Sequence, residues 1–97
     1  MKRTVPRLEG EAREVARGEL IGRAVRVAGG ADAGLVGLSG IVVDETLRTL
    51  VVRRADGREL RIGKAACLLE FEGRRGPVQF PGAAIEFRPA ERTKKVR

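Results

Sequence analysis

The sequence has no histidine, tryptophan or tyrosine, and only one cysteine, one methionine and three phenylalanines among 97 residues. Ser39 is its sole serine. Without histidine, neither a Ser–His nor a Cys–His nucleophile pair can be assembled. One cysteine and no histidine leave no zinc site of the usual ligand types, and Cys67 alone can close no internal disulfide. No apolar run is long enough to cross a bilayer and no apolar signal segment stands at the front, so a cytoplasmic protein without a membrane partner is expected. The glycines spell no G-x-x-x-x-G-K-[ST] loop and precede a strand rather than a helix, so no phosphate-binding loop is expected. With so few aromatics, a base-stacking platform of the single-strand-binding kind is disfavoured.

What is abundant is charge. The formal net charge is +7. Lys2, Arg3 and Arg7 make residues 1–7 carry +3, and Arg88, Arg92, Lys94, Lys95 and Arg97 against Glu91 make residues 88–97 carry +4. Residues 8–87 balance twelve basic against twelve acidic side chains. A neutral body with basic ends suits a polyanionic partner; the plainer reading is that basic ends keep a small protein soluble. At this length one domain is expected, burying roughly 60–65% of its unfolded surface around a thin core.

The chain is organised around residues 34–52. Ile41, Val42 and Val43, then Val51 and Val52, favour a pleated, half-buried surface, and Asp44, Glu45, Thr46 and Arg48 predict a solvated turn between two strands. Before it, Leu8, Ala12, Val15, Ala16 and Leu20 recur at helical spacing and predict an amphipathic helix over residues 7–21, started near Thr4 and Pro6, weakened by Gly10 and Gly18, and stopped at Gly22. In a first strand over residues 23–28, Val25 and Val27 point one way and Arg26 and Ala28 the other. After the hairpin, Ala55-Asp56-Gly57-Arg58 predicts a two-residue turn into a strand with Leu60 and Ile62 inward. Cys67, Leu69 and Phe71 line one face of the next strand. Residues 73–76 form an exposed loop, Val78 and Phe80 a last short strand, and residues 83–87 one helical turn. About six short strands and one helix predict an all-β fold, a small antiparallel barrel whose closure removes exposed edges. The divisions are a basic N-terminus and helix (1–22), a barrel (23–87) and a basic tail (88–97).

The chemistry-bearing residues are few. Asp44-Glu45 is the one adjacent acidic pair, and its place in a predicted turn favours a structural role over acid–base or metal work. Cys67 shares a face with Leu69 and Phe71, which predicts a buried, inert thiol. What remains is arginine: Arg53, Arg54, Arg58, Arg61 and Lys64 surround one hairpin against only Asp56 and Glu59. Guanidinium groups bind phosphate through paired hydrogen bonds, so recognition of a folded RNA through its phosphates and 2′-hydroxyls is favoured. For each arginine the alternative is a solvated strand face.

Residues 19–27, the block Leu35-Val36-Gly37-Leu38-Ser39-Gly40-Ile41-Val42-Val43-Asp44-Glu45-Thr46, Thr49-Leu50, Lys64, residues 67–72, Pro81-Gly82 and residues 88–92 together resemble protein component 1 of archaeal ribonuclease P. The resemblance implies a six-stranded Sm-like or SH3-like barrel with extensions at both ends. It implies a subunit of the ribonucleoprotein that removes the 5′ leader from precursor tRNA, in which the RNA hydrolyses the phosphodiester with magnesium. This chain would supply no catalytic residue and bind no cofactor or metal itself. Its partners would be ribonuclease P RNA, a zinc-ribbon protein subunit and, indirectly, precursor tRNA. Arg26, Arg53, Arg54, Arg61, Lys64, Arg88, Arg92, Lys94 and Lys95 are the candidate phosphate contacts. Leu8, Val15, Ala16 and Leu20 are the candidate stripe for the protein partner, beside the default reading that the helix packs on its own barrel. Two rivals stand beside this reading. Gly29, Gly30, Gly34, Gly37 and Gly40 before Ile41-Val42-Val43 also look like the KOW-type motif of ribosomal and transcription-elongation barrels, and a standalone hydrolase would have to use Asp44 and Glu45.

Overall fold

The structure, a computed structural model, describes residues 6–97. The expectations resting on Lys2, Arg3 and Thr4 lie outside the described residues. In chain order come helix α1 (Gly10–Arg17), strands β1 (Ala24–Gly30), β2 (Ser39–Glu45), β3 (Thr49–Arg53) and β4 (Glu59–Gly63), a 3-10 turn (Lys64–Ala66), β5 (Cys67–Gly73), β6 (Gly76–Pro81), a second 3-10 turn (Gly82–Ile85) and helix α2 (Pro89–Lys95). The strands form one antiparallel sheet in the order β4-β3-β2-β1-β5-β6.

β1 is shared by two ladders, with β2 on one side and β5 on the other. Val25 lies opposite Gly40 of β2 and Phe71 of β5 at once. Irregularities between Val27 and Gly29 and between Val42 and Asp44 add curvature, as extra residues in one strand of a pair do. The 3-10 turns that follow the two outermost strands then meet. A side chain at Gly82 would place its Cβ 1.8 Å from the Lys64 carbonyl oxygen, so glycine is what lets the two backbones touch. The result is the six-stranded Sm-like or SH3-like barrel, all-β apart from the helices. Inside it Val25, Val27, Val42, Leu50, Val52, Ile62, Leu69, Phe71 and Phe80 are buried, with the rings of Phe71 and Phe80 stacked at 5.6 Å.

Helix α1 is shorter than expected. Gly18 is extended and its N–H closes the last turn on the Val15 carbonyl, while Gly10 begins the helix at φ +58. The glycines expected to weaken the helix instead bound it. The expected stripe covers the barrel: Val15 and Ala16 from α1, Leu8 before it and Leu20 after it all belong to the core cluster, Ala16 and Leu20 with no exposed surface. Of the two supports open to that stripe, its own barrel and a protein partner, the structure shows the first, so the candidate partner-binding role of these four residues is corrected to core packing.

Elsewhere four expectations are corrected. β2 begins at Ser39 rather than before it, since Leu35 and Leu38 pack on the core from a loop. The β3–β4 connection is a three-residue loop, Ala55-Asp56-Gly57, closed by Arg54 N–H to the Arg58 carbonyl with Gly57 at φ +88. Leu60 is exposed, because β4 is an outermost strand of the ladder. Residues 88–97 are not a loose tail, for α2 folds back against α1.

Candidate nucleic-acid interface

The bulge in β2 decides what lies at the heart of the molecule. Val42 pairs with Val52 and Asp44 with Val51, leaving Val43 as the extra residue. Alternation resumes one place late, so Glu45 falls opposite Leu50 and on the inner face with Val42. Its side chain has no exposed surface. Lys64, on the 3-10 turn after β4, donates from Nζ to Glu45 Oε2 at 2.9 Å. It donates also to the carbonyls of Thr46 (2.8 Å), Ile85 (2.9 Å) and Phe87 (3.2 Å). Arg92, from α2, forks onto the same carboxylate, Nε to Oε2 at 2.7 Å and Nη2 to Oε1 at 2.8 Å. Its Nη1 reaches the carbonyls of Ala16 and Gly18 at the end of α1, at 2.8 and 2.5 Å.

Two cations and one carboxylate are thus buried together. Among the described residues no buried side-chain nitrogen or oxygen lacks a hydrogen-bond partner. Burial pulls the Lys64 ammonium below the ordinary lysine range, and the Glu45 carboxylate opposes that pull. Lys64 and Arg92 were expected to touch phosphate. With side-chain exposures of 0% and 2% they cannot, and they are corrected to core residues. Glu45 was placed in a solvated turn, yet it is enclosed, so an acid–base pair with Asp44 could not reach a substrate.

The other candidate cations divide into paired and convergent. On the outer sheet face Arg26 forks onto Glu70 with two contacts of 3.1 Å, which holds the Glu70 carboxyl below the usual range, helped by Gln79. Arg53 pairs with Glu59 at 2.7 Å, and Arg61 donates to Thr49 Oγ1 at 3.1 Å. Arg54 and Arg88 are exposed, Arg54 beside the sheet and Arg88 at the entry of α2.

Lys94 and Lys95 meet cations that the candidate set left out. A cleft of about 760 Å³ is lined by Arg7, Arg13, Lys94, Lys95 and Arg97 together with Phe87 and Val96. Leu8 N–H donates to the Arg97 carbonyl at 2.6 Å, fastening the segment before α1 to the end of α2. Arg7, from the N-terminal side, and Lys94, Lys95 and Arg97, from the C-terminal side, therefore share one surface. Glu91, paired with Lys95 at 2.7 Å, is the acidic group beside it. Arg13 was overlooked because it belongs to the charge-balanced body; its position off the helix's apolar stripe was the available signal. Several exposed cations on one surface are the arrangement that suits a polyanion.

A second concavity lies on the outer face, about 460 Å³, with Ala24, Ile41 and Ala55 along it and Arg26, Arg53, Arg54, Glu70 and Glu72 at its rim. Ile41 is 42% exposed there. The fork of Arg26 on Glu70 and the pair of Arg53 with Glu59 neutralise most of the rim's positive charge.

Comparison with known proteins agrees with this architecture. The family model described as ribonuclease P/MRP, subunit p29 matches residues 13–95. Ribonuclease P protein component 1 of Methanothermobacter thermautotrophicus is 42% identical over 84 residues, covering 86% of this chain and 90% of that protein. The protein of the same name from Desulfurococcus amylolyticus is 46% identical over 86 residues, covering 88% and 94%. A solved structure of Mth11, described as a homologue of the human RNase P protein Rpp29, superposes with a TM-score of 0.55 at 41% identity, covering 77% of this chain and 97% of that one.

Proposed function

Because this chain belongs to the ribonuclease P/MRP p29 family and is a protein subunit of ribonuclease P, we propose that its cationic cleft grips the phosphates of ribonuclease P RNA. The observation that carries this is the convergence of Arg7, Arg13, Lys94, Lys95 and Arg97 from opposite ends of the sequence onto one surface. The family assignment disfavours the KOW-type alternative. The protein contributes position and charge; hydrolysis of the precursor-tRNA phosphodiester is assigned to the RNA subunit, for which magnesium would be the metal. Phosphate neutralisation by the cleft lowers the repulsion within the folded RNA that magnesium would otherwise have to screen. Cleavage of precursor tRNA by the reconstituted particle at low magnesium is therefore expected to depend on this protein. Cleavage at equal rate without it would overturn the reading. The cytoplasm is the compartment this function implies; among the described residues no helix is long and apolar enough to cross a membrane.

The zinc-ribbon subunit needs a surface other than the α1 stripe, which is buried. The outer-face groove at Ile41 suits it: apolar floor, rim charges largely paired, and so little attraction for RNA. Ile41→Lys is expected to weaken binding of that subunit at least about tenfold, as loss of an apolar anchor does, while RNA binding by this chain alone is unchanged. Titration calorimetry with the isolated partner checks it, and an unaltered affinity would exclude the groove.

A further inference from the structure

We infer that Glu45 and Arg92 form a buried anchor that positions the RNA-binding cations of α2, a role that rests on the cleft being the RNA site. Helix α2 has seven residues, too few to persist in water without support. It presents two side chains to the interior, Arg92 within it and Val96 at its C-terminal cap, 2% and 3% exposed. Val96 gives adhesion without direction. Arg92 gives direction, because its planar fork meets both oxygens of Glu45 while its third nitrogen takes the carbonyls that end α1. Glu45 is itself immobilised by Lys64, whose other hydrogen bonds tie it to the β2–β3 turn and to the segment just ahead of α2. The orientation of α2 is therefore set by the barrel core.

Lys94 and Lys95 follow Arg92 by two and three residues, so fixing its guanidinium fixes where they project. They line the same cleft as Arg7 and Arg13 from the other end of the chain. Released from the anchor, the same charges would remain on the molecule but would no longer be held together. Binding RNA would then include the entropy of gathering them.

The test uses the full chain, hydrogen exchange on the amides of residues 89–97, and affinity for a transcribed archaeal ribonuclease P RNA across a salt series. Arg92→Met keeps the buried volume and leaves Glu45 with Lys64 as its counter-ion. It is expected to abolish protection of α2, lower RNA affinity about tenfold near 0.1 M salt, and reduce the salt slope by about 1–2, the share of two lost phosphate contacts. Val96→Asp releases α2 at its other buried point without touching the ion cluster. It is expected to reproduce all three changes, and it carries the test should Arg92→Met fail to fold. A protected α2 in Arg92→Met overturns the anchor. So does an unprotected α2 with unchanged affinity and slope. A wild-type protein without salt-dependent RNA binding overturns the RNA reading instead, and the exchange data then decide by themselves whether Arg92 docks the helix.

Discussion

Glu45→Ala is expected to lower folding stability by roughly 3–5 kcal/mol, the cost of breaking a buried ion pair by removing one partner. The variant leaves the Lys64 ammonium and the Arg92 guanidinium enclosed together, repelling each other, with only carbonyl groups to solvate them. Neither cation can escape cheaply. Lys64 is hemmed by the two 3-10 turns that meet at Gly82, and Arg92 can reach solvent only by undocking α2. A domain of this size holds about 5–15 kcal/mol in total, so the loss is a large fraction of it. At about 4–8 °C per kcal/mol for a chain this short, the melting temperature should fall by roughly 12–40 °C. Thermal melts followed by far-ultraviolet circular dichroism suit a protein without tryptophan or tyrosine. A fall of less than about 5 °C would mean that the charges are not mutually dependent. Glu45→Gln, which keeps the shape and one carbonyl acceptor, should fall between.

Simultaneous replacement of Arg7, Arg13, Lys94 and Lys95 by alanine is expected to weaken binding to ribonuclease P RNA by on the order of 100-fold at 0.1 M salt. The slope of log affinity against log salt should shrink by about 3, since each phosphate contact accounts for a little under one unit. All four side chains are exposed, and surface substitutions of this kind change stability little, usually within about 0.5 kcal/mol each. The loss would therefore report on binding. The same experiment on Arg54, Arg58 and Arg61 is the necessary counterpart, because those residues also carried the sequence-based expectation. If they produce the larger loss, the RNA lies against β3 and β4 and the cleft is secondary.

These two predictions concern residues that the sequence treats very differently. Charge at the ends of the chain was legible by counting, and among the described residues the structure brings Arg7 together with Lys94, Lys95 and Arg97. The inward alternation of Cys67, Leu69 and Phe71 was legible because one face of β5 is wholly buried and the pattern is unbroken. The burial of Glu45 was not legible. It follows from one unpaired residue in β2, and a bulge leaves no mark in a run such as Ile41-Val42-Val43. Lys64 and Arg92 were misjudged for the complementary reason. A lysine or arginine is normally exposed unless paired, and the pairing here joins residues 19 and 47 positions apart from Glu45. The apolar stripe of α1 was read correctly as a stripe, but helical spacing cannot tell whether a face meets its own barrel or another protein. The sequence resemblance supplied the family; it could not separate the cations that reach solvent from those that hold the fold.

The hydrogen bond from Leu8 to Arg97 has a practical consequence for handling the protein. A purification tag or fluorophore attached at Arg97 would hang over the mouth of the cleft and compete with whatever enters it. A reporter at Asp56, in the exposed loop between β3 and β4, does not line that mouth. Labelling there leaves both strands of the chain's own clasp undisturbed.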